Sequence, residues 1–472
     1  MLKTLESPNL SPGVPPALSD PRQRDVRKIL LISYLFPPVG GIGVQRALSL
    51  AKYLPPCGFE VHVLKANNAG GPVQDPALVR QIPSGVTVHE TFTPEIPFAI
   101  RQKLWTRIKG NHRPEGVAKA EPGRFSWKRL IARAAQRLLC PEPEILWVPF
   151  ALRKARRVIR KHKIDIVLVT VPPFSALVAA TALKREFPSL ALVSDFRDEW
   201  LSFYLKDFEF QNSVYTRRRA AAIERATVER SNLVVAVNRS SRDEIRRRYP
   251  EQPEHKFVVI PNGYDPEIFA DFVPRKNTGR RMIVTHVGTV YKTASPRFYL
   301  DAVDGLPDEV RAQIETRFIG RISDAESVLL ENRKSRVSVL GFMPQGAALK
   351  YMEDTDYLLL TMTNDISVPG KLFEYMATGK TILAVTAAGS EVDQILRETA
   401  AGVTAPPDDV QSIQAMLMRA FEAWRNGKKL IEGDTAPVRR YERPRLAEEY
   451  GDLLRGIPVA DANAPAGRAS LL

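Results

Sequence analysis

The chain has 472 residues, 44% hydrophobic and 26% charged, a globular composition with room for two or three domains. Its two cysteines, Cys57 and Cys140, exclude a disulfide framework, and neither has a second cysteine or a histidine at ligand spacing, so no metal site is expected there. The formal charge is +15, and nearly all of the excess lies between Arg101 and Lys163, where 18 Lys/Arg stand against 4 Glu for a net of +14.

The first 25 residues are rich in Pro and Ser and read as a disordered leader rather than a signal peptide. Lys28–Ile32 opens the ordered chain with a continuous apolar run, the pattern of a strand buried on both faces. Pro37-Pro38 ends it, and Gly40, Gly41 and Gly43 lead into a helical stretch, Val44 to Tyr53. Phe59–Leu64 then completes a β-α-β unit. Exposed amides in such a glycine-rich turn can cradle a phosphate, although a merely tight strand-to-helix turn has the same composition. The spacing is not the dinucleotide fingerprint, and no acid ends the second strand.

Pro83 to Val88 is a candidate third strand, followed by a basic insertion over residues 100–146. Its charge fits a solvated face, nucleic acid or an anionic membrane. Interleaved apolar residues such as Trp105, Ile108, Phe125 and Trp127 favour a helix at an anionic membrane surface. No zinc finger, aromatic RNA-binding signature or zipper accompanies them, so nucleic acid is not an expected partner. Helix resumes from Trp147, Ile164 to Val171 is a strand, and Ala191–Ser194 is another. That strand ends at Asp195-Phe-Arg-Asp-Glu-Trp200. Strand carboxyl ends bind ligands in open parallel sheets, which makes Asp195, Arg197 and Asp198 candidates for positioning or acid–base work. The same residues also fit a helix cap, an Asp–Arg pair and a core tryptophan. The run Ile164 to Leu183 is broken by Asp165 and two prolines, so it reads as strand, turn and helix rather than a membrane span. A cytoplasmic protein, peripheral at the membrane, is the expectation.

Leu233–Val237 and Phe257–Ile260 are further strands, and Pro261-Asn262-Gly263-Tyr264-Asp265 is a strong turn. The first domain is expected over residues 26–272 and a second α/β series over 273–440. The second begins with the strand from Met282 and its Gly288 turn, and continues through Ile314–Ile319, ending at Gly320-Arg321. In Pro369-Gly370-Lys371-Leu372-Phe373-Glu374 a turn opens a short helix with a lysine at its start. A cation there opposes the helix macrodipole, which makes sense if an anion arrives at the free amides. Glu374, acceptor-only when ionised, suits a pair of ribose hydroxyls. An ordinary surface Lys and Glu is the plain alternative. Residues 441–456 are amphipathic and expected to pack back on the first domain, with a tail over 457–472. Two successive β/α domains joined by a turn leave a cleft between them, the preferred place for a small-molecule site.

Phe36-Pro-Pro-Val-Gly-Gly-Ile-Gly-Val-Gln, Ile260-Pro-Asn-Gly-Tyr-Asp and Val368-Pro-Gly-Lys-Leu-Phe-Glu-Tyr-Met-Ala-Thr-Gly-Lys, in this order and spacing, resemble the glycosyltransferase family 4 type of nucleotide-sugar enzymes. The resemblance runs from about Lys28 to Leu454. It implies an α/β GT-B fold, two Rossmann-like domains facing each other across a cleft. It implies transfer of a sugar from a nucleotide sugar to a lipid-linked or polysaccharide acceptor, with retention, with no cofactor and no metal, in cell-surface polysaccharide or glycolipid synthesis. The implied donor residues are Gly40, Gly41, Gly43, Gly288, Gly370, Lys371, Leu372 and Glu374. Two positions depart from the family pattern. Ile366 stands where a glutamate is usual, with Asp365 the nearest carboxylate. The arginine after the second domain's first glycine is missing, leaving Lys292 or Arg321 to supply its charge. A GT-B nucleotide-sugar epimerase and a non-catalytic scaffold are the competing readings.

Overall fold

The computed structural model describes residues 26–69, 74–94, 139–205, 213–275, 279–434 and 436–458. The expected leader, most of the basic insertion and most of the tail lie outside the described residues. The N-terminal half is built on a seven-stranded sheet. Its strands are β1 (Arg27–Ile32), β2 (Phe59–Ala66), β3 (Thr87–Thr91), β4 (Ile166–Val171), β5 (Ala191–Phe196), β6 (Leu233–Ala236) and β7 (Phe257–Val259). Their spatial order is 3-2-1-4-5-6-7, and every neighbouring pair is parallel. Continuous apolar runs such as Ile166–Val171, buried at every position, belong in a sheet covered on both faces. The third strand begins later than its sequence suggests, because Pro83 accepts a turn hydrogen bond from the Val86 amide and holds Pro83–Val86 out of the sheet.

Helices α1 (Ile42–Tyr53), α2 (Val148–His162), α3 (Ser175–Glu186), α4 (Val214–Arg230) and α5 (Arg239–Arg248) alternate with these strands. The second half repeats the scheme with β8 (Met282–Val287), β9 (Ile314–Ile319), β10 (Arg336–Gly341), β11 (Tyr357–Thr361), β12 (Thr381–Val385) and β13 (Gly402–Ala405). These six strands are again all parallel, in the order 10-9-8-11-12-13. Their main helices are α6 (Arg297–Asp304), α7 (Gln345–Glu353), α8 (Gly370–Ala377), α9 (Glu391–Glu398) and α10 (Val410–Arg425). Strand order reverses beside β1 in one sheet and beside β8 in the other, which places a ligand crevice at the carboxyl ends of both.

The last helix, α11 (Arg443–Gly456), leaves the second half and returns to the first. Its Leu446, Tyr450 and Leu454 share one apolar cluster with Ala47, Leu50 and Ala51 of α1. The chain therefore crosses between halves twice, and the crossings touch. The Tyr264 amide donates to the Tyr441 carbonyl at 3.0 Å, and the Arg443 amide donates to the Tyr264 carbonyl at 2.9 Å. Gly263 has no room for a side chain: a Cβ would lie 2.2 Å from the Tyr441 oxygen and 2.6 Å from Leu446 Cδ1.

A buried ion pair locks the first half to this crossing. Asp195 is fully buried, and both its oxygens accept from Arg46, at 2.7 to 3.0 Å. Thr170 Oγ1 donates to it at 2.8 Å, and Arg46 Nη1 donates to the Pro261 carbonyl at 3.0 Å. Removing one partner of such a pair leaves a buried uncompensated charge, at a cost of about 3–5 kcal/mol. Arg46→Leu is therefore expected to lower the urea unfolding free energy by about that much; an unchanged unfolding midpoint would contradict this assignment.

Candidate active site

The second half contributes a floor made where β8, β9 and α8 meet. Gly288 follows β8 at φ +131°, and Gly320 follows β9 at φ +135°. A Cβ on Gly320 would lie 2.2 Å from the Gly288 oxygen, so this close crossing of two strand ends admits no side chain. A Cβ on Gly288 would lie 3.0 Å from Lys371 Nζ, which puts the lysine directly over the glycine turn. Tyr375 anchors α8 there: its hydroxyl accepts from the Val287 amide at 2.7 Å and donates to the Val287 carbonyl at 2.9 Å.

Lys371 stands in the first turn of α8, a helix with no side-chain cap at its start. Its Nζ lies 3.1 Å from His286 Nε2, while His286 Nδ1 lies 3.0 Å from the Leu359 carbonyl. A carbonyl can only accept, so Nδ1 carries the hydrogen and Nε2 accepts from the lysine. Burial, and then Lys371, hold His286 well below its ordinary pKa, which keeps it neutral. Burial also lowers Lys371 to about 8, with Glu374 acting in the opposite direction. The sequence carried no signal for His286, since an isolated histidine in a strand is an ordinary core residue.

Glu374 lies one turn further along α8, half-buried. Burial pushes its carboxyl up, and Arg443 and then Lys371 pull it back. Its carboxylate makes no hydrogen bond or ion pair among the described residues. Arg443, buried at the start of α11, donates to the Gly263 carbonyl at 3.2 Å and to Gln45 Oε1 at 2.9 Å. Gln45 lies in the first turn of α1, two residues after Gly43. One guanidinium thus bridges the helix behind the glycine-rich loop to the neighbourhood of Glu374.

The first half supplies the other wall. Gly41 caps α1 at φ +94°, a left-handed conformation that favours glycine, with Gly40 buried beside it. A Cβ on Gly43 would stand 3.7 Å from Arg197 Nη1, so the loop and the end of β5 are neighbours. Arg197 donates to the carbonyls of Val171 and Pro172. Asp198 beside it is half-buried; burial raises its carboxyl pKa and Arg197 lowers it. Glu199 caps the following turn through the amides of Leu201, Ser202 and Phe203. Trp200 is core, stacked on Phe174 at 4.4 Å.

Several expected contacts fall elsewhere. Asp195 lies inside β5, not after it, and its fully buried carboxylate is taken up by Arg46 of α1 and Thr170 of β4. Leu372 is fully buried with Leu358 and Leu360, and its amide donates to the Pro369 carbonyl at 3.0 Å; neither part is offered to a ligand. Asp365 and Lys292 are exposed on loops. Arg321 is exposed and lies over the Phe342 ring, 5.6 Å from its centroid. Ile366 instead joins the halves: its carbonyl accepts from Asn238 Nδ2 at 3.0 Å, and nearby Glu391 accepts from the Arg239 amide at 2.8 Å.

Two parallel Rossmann-like sheets whose carboxyl ends meet at one cleft define the GT-B class. Residues 111–268 match the family described as Glycosyltransferase Family 4, and residues 281–422 match the family Glycosyl transferases group 1. The chain is a GT-B glycosyltransferase of the family 4 type. No curated protein sequence matches it significantly. Among solved structures it is similar to Anabaena HepE in complex with UDP and glucose, at 16% identity and a TM-score of 0.57, covering 91% of this chain and 100% of that one. Sucrose-phosphate synthase from Thermosynechococcus elongatus aligns at 15% identity and a TM-score of 0.60, over 91% and 98% of the two chains. WaaG, a glycosyltransferase involved in lipopolysaccharide biosynthesis, aligns at 14% identity and a TM-score of 0.58, over 91% and 100%.

The depressed Lys371 has a measurable consequence. Its folded pKa of about 8 lies below the 10.5 of a free lysine. Between those values the unfolded chain holds a proton that the folded chain lacks, so stability rises with pH. Wild type is expected to gain stability relative to Lys371→Met as pH rises from 8 toward 10.5. Parallel urea-stability profiles of the two proteins would rule out the depressed lysine.

Proposed function

We propose that the protein moves a sugar from a nucleoside-diphosphate donor, held mainly by the C-terminal half, to a lipid-linked or polysaccharide acceptor. The observation that carries this reading is an unpartnered, half-buried carboxylate, Glu374, one turn from a lysine at an uncapped helix start. Glu374 accepts from the ribose hydroxyls. The diphosphate lies against Gly288, the first amides of α8 and Lys371, whose proton its charge restores. As the sugar departs, these donors offset the negative charge growing on the diphosphate, so no metal ion is needed there. The HepE complexes with UDP, with UDP and glucose, and with UDP-glucose support this class of donor. WaaG and the lipopolysaccharide galactosyltransferase WaaB support an acceptor of the cell-surface glycolipid kind. Retention at the anomeric carbon follows the family 4 resemblance.

The acceptor enters beside the Gly40–Gly43 loop, where Asp198 receives the proton of its hydroxyl or orients it; Arg197 and Asp195 hold that strand end in place. The basic segment from Arg101 to Lys163 docks the enzyme on anionic lipid. Within it α2 exposes Arg153, Arg157, Arg160 and Lys161. No helix among the described residues is long and apolar enough to cross a membrane.

Binding of UDP-glucose, the first candidate of a donor panel, is measured by calorimetry. Hydrogen bonds to a charged group contribute about 1.5–3 kcal/mol, so Glu374→Gln is expected to weaken the donor about 10- to 150-fold. Asp198→Asn is expected to lower turnover and leave donor affinity alone. A donor bound equally well by Glu374→Gln would refute the ribose assignment. For docking, sedimentation with anionic vesicles is expected at low salt and lost at high salt; indifference to lipid charge removes that part of the reading.

A further inference from the structure

Three of the chain's six histidines meet at one point outside the cleft. His62 comes from β2, His89 from β3 and His162 from the last turn of α2. One ring nitrogen of each lies within 4.8 Å of the other two. His62 Nδ1 is 3.2 Å from His89 Nε2, and the His162 ring centroid is 4.3 Å from that of His62. Glu60 accepts from His62 Nε2 at 2.9 Å and pairs with Lys28 at 3.0 Å. Lys28 and Glu60 stand at the starts of β1 and β2. The cluster therefore lies toward the amino end of the sheet, away from the end that carries the glycine-rich loop.

We propose that His62, His89 and His162 form a binding site for a transition-metal dication of the zinc type, with Glu60 orienting His62. Zinc–imidazole bonds are about 2.0–2.1 Å long, so two ligand nitrogens of a tetrahedral site stand roughly 3.4 Å apart. The His62–His89 separation already matches. The two rings are nearly parallel, at 18°; each has to turn so that its lone pair meets the ion rather than its neighbour. Because His62 gives its Nε2–H to Glu60, its Nδ1 accepts, and His89 Nε2 carries the hydrogen of their contact. On binding, that hydrogen moves to His89 Nδ1, and the ion takes its place. Glu60 on the far nitrogen of His62 is the carboxylate–histidine arrangement that fixes ring orientation and raises basicity at metal sites.

His62 is buried, whereas His89 and His162 are half-buried, so the ion has an entry and a place for a water ligand. Lys154 and Lys161 lie near His89 and repel a cation. Solvent screens charges at such partly exposed positions, whereas the imidazole lone pairs bond the ion directly. The site would pin the end of α2 to the edge strand β3 and its neighbour β2.

The test uses the full-length protein, freed of metal with a chelator and titrated with Zn2+ and with Co2+. One Zn2+ per chain is expected at micromolar affinity, with the intense visible absorption of tetrahedral Co2+ and a rise in melting temperature. His89→Gln and His162→Asn are expected to weaken binding by about a hundredfold or more, and Glu60→Gln by about 10- to 100-fold, with circular dichroism confirming that each variant folds. Absence of saturable Zn2+ binding to wild type, or variants that bind as wild type does, would overturn the site.

Discussion

A single guanidinium ties the returning helix to the first half beside Glu374. Arg443 begins the helix that returns from the second half to the first, and it is buried between Gly263, Gln45 and Glu374. Such a group is costly to desolvate unless its hydrogens are used. Here its Nε–H goes to the Gly263 carbonyl, one Nη1–H goes to Gln45, and the Glu374 carboxylate lies within electrostatic reach. The same cation works against the burial that raises the Glu374 carboxyl. One side chain therefore both fixes the returning helix and favours the ionised form of Glu374. Gly263 is part of the same arrangement, since only a residue without a Cβ lets Tyr441 and Leu446 come so near.

Around that bridge, the parallel sheets do the placing. All strands in each half run the same way, so every loop with functional residues emerges on the cleft side. In the second half this brings a histidine, a glycine turn and a helix start together. His286 is kept neutral so that it can accept from Lys371, and Lys371 is kept near its titration point by burial. In the proposed donor role, a lysine held in this way gives up little hydration when a phosphate arrives, and the phosphate restores its full charge. In the first half the Arg46–Asp195 pair stiffens the segment between the glycine-rich loop and the end of β5.

Much of this was legible in the sequence, and the boundary of legibility has a physical reason. Parallel strands show as continuous apolar runs, so most of both sheets could be read, apart from the late start of β3 and the short β13, whose Gly402–Ala405 lacks such a run. Lys371 and Glu374 could be read because helix geometry fixes their relation within one turn. The partners that define the site are long-range: Lys371 and His286 are 85 positions apart, Arg46 and Asp195 are 149 apart, and Arg443 and Gln45 are 398 apart. No local spacing rule reaches them. Asp195 reads as a strand end in the sequence, whereas in the fold it is still inside β5 and is taken up by Arg46, a partner 149 positions away. Leu372 was misplaced because a motif names residues without saying which of them face the core. The histidine cluster escaped for the reason that hid Arg46, since its members come from three separate elements.

The central claim is that the donor's ribose rests on Glu374 and its diphosphate on Lys371 and the start of α8. A structure of the protein soaked with a nucleoside diphosphate tests it most directly. The account predicts both ribose hydroxyls on the Glu374 carboxylate and the phosphates over Gly288, within reach of Lys371 Nζ. A nucleotide seated elsewhere in the cleft, with no ribose hydroxyl on Glu374, would contradict it.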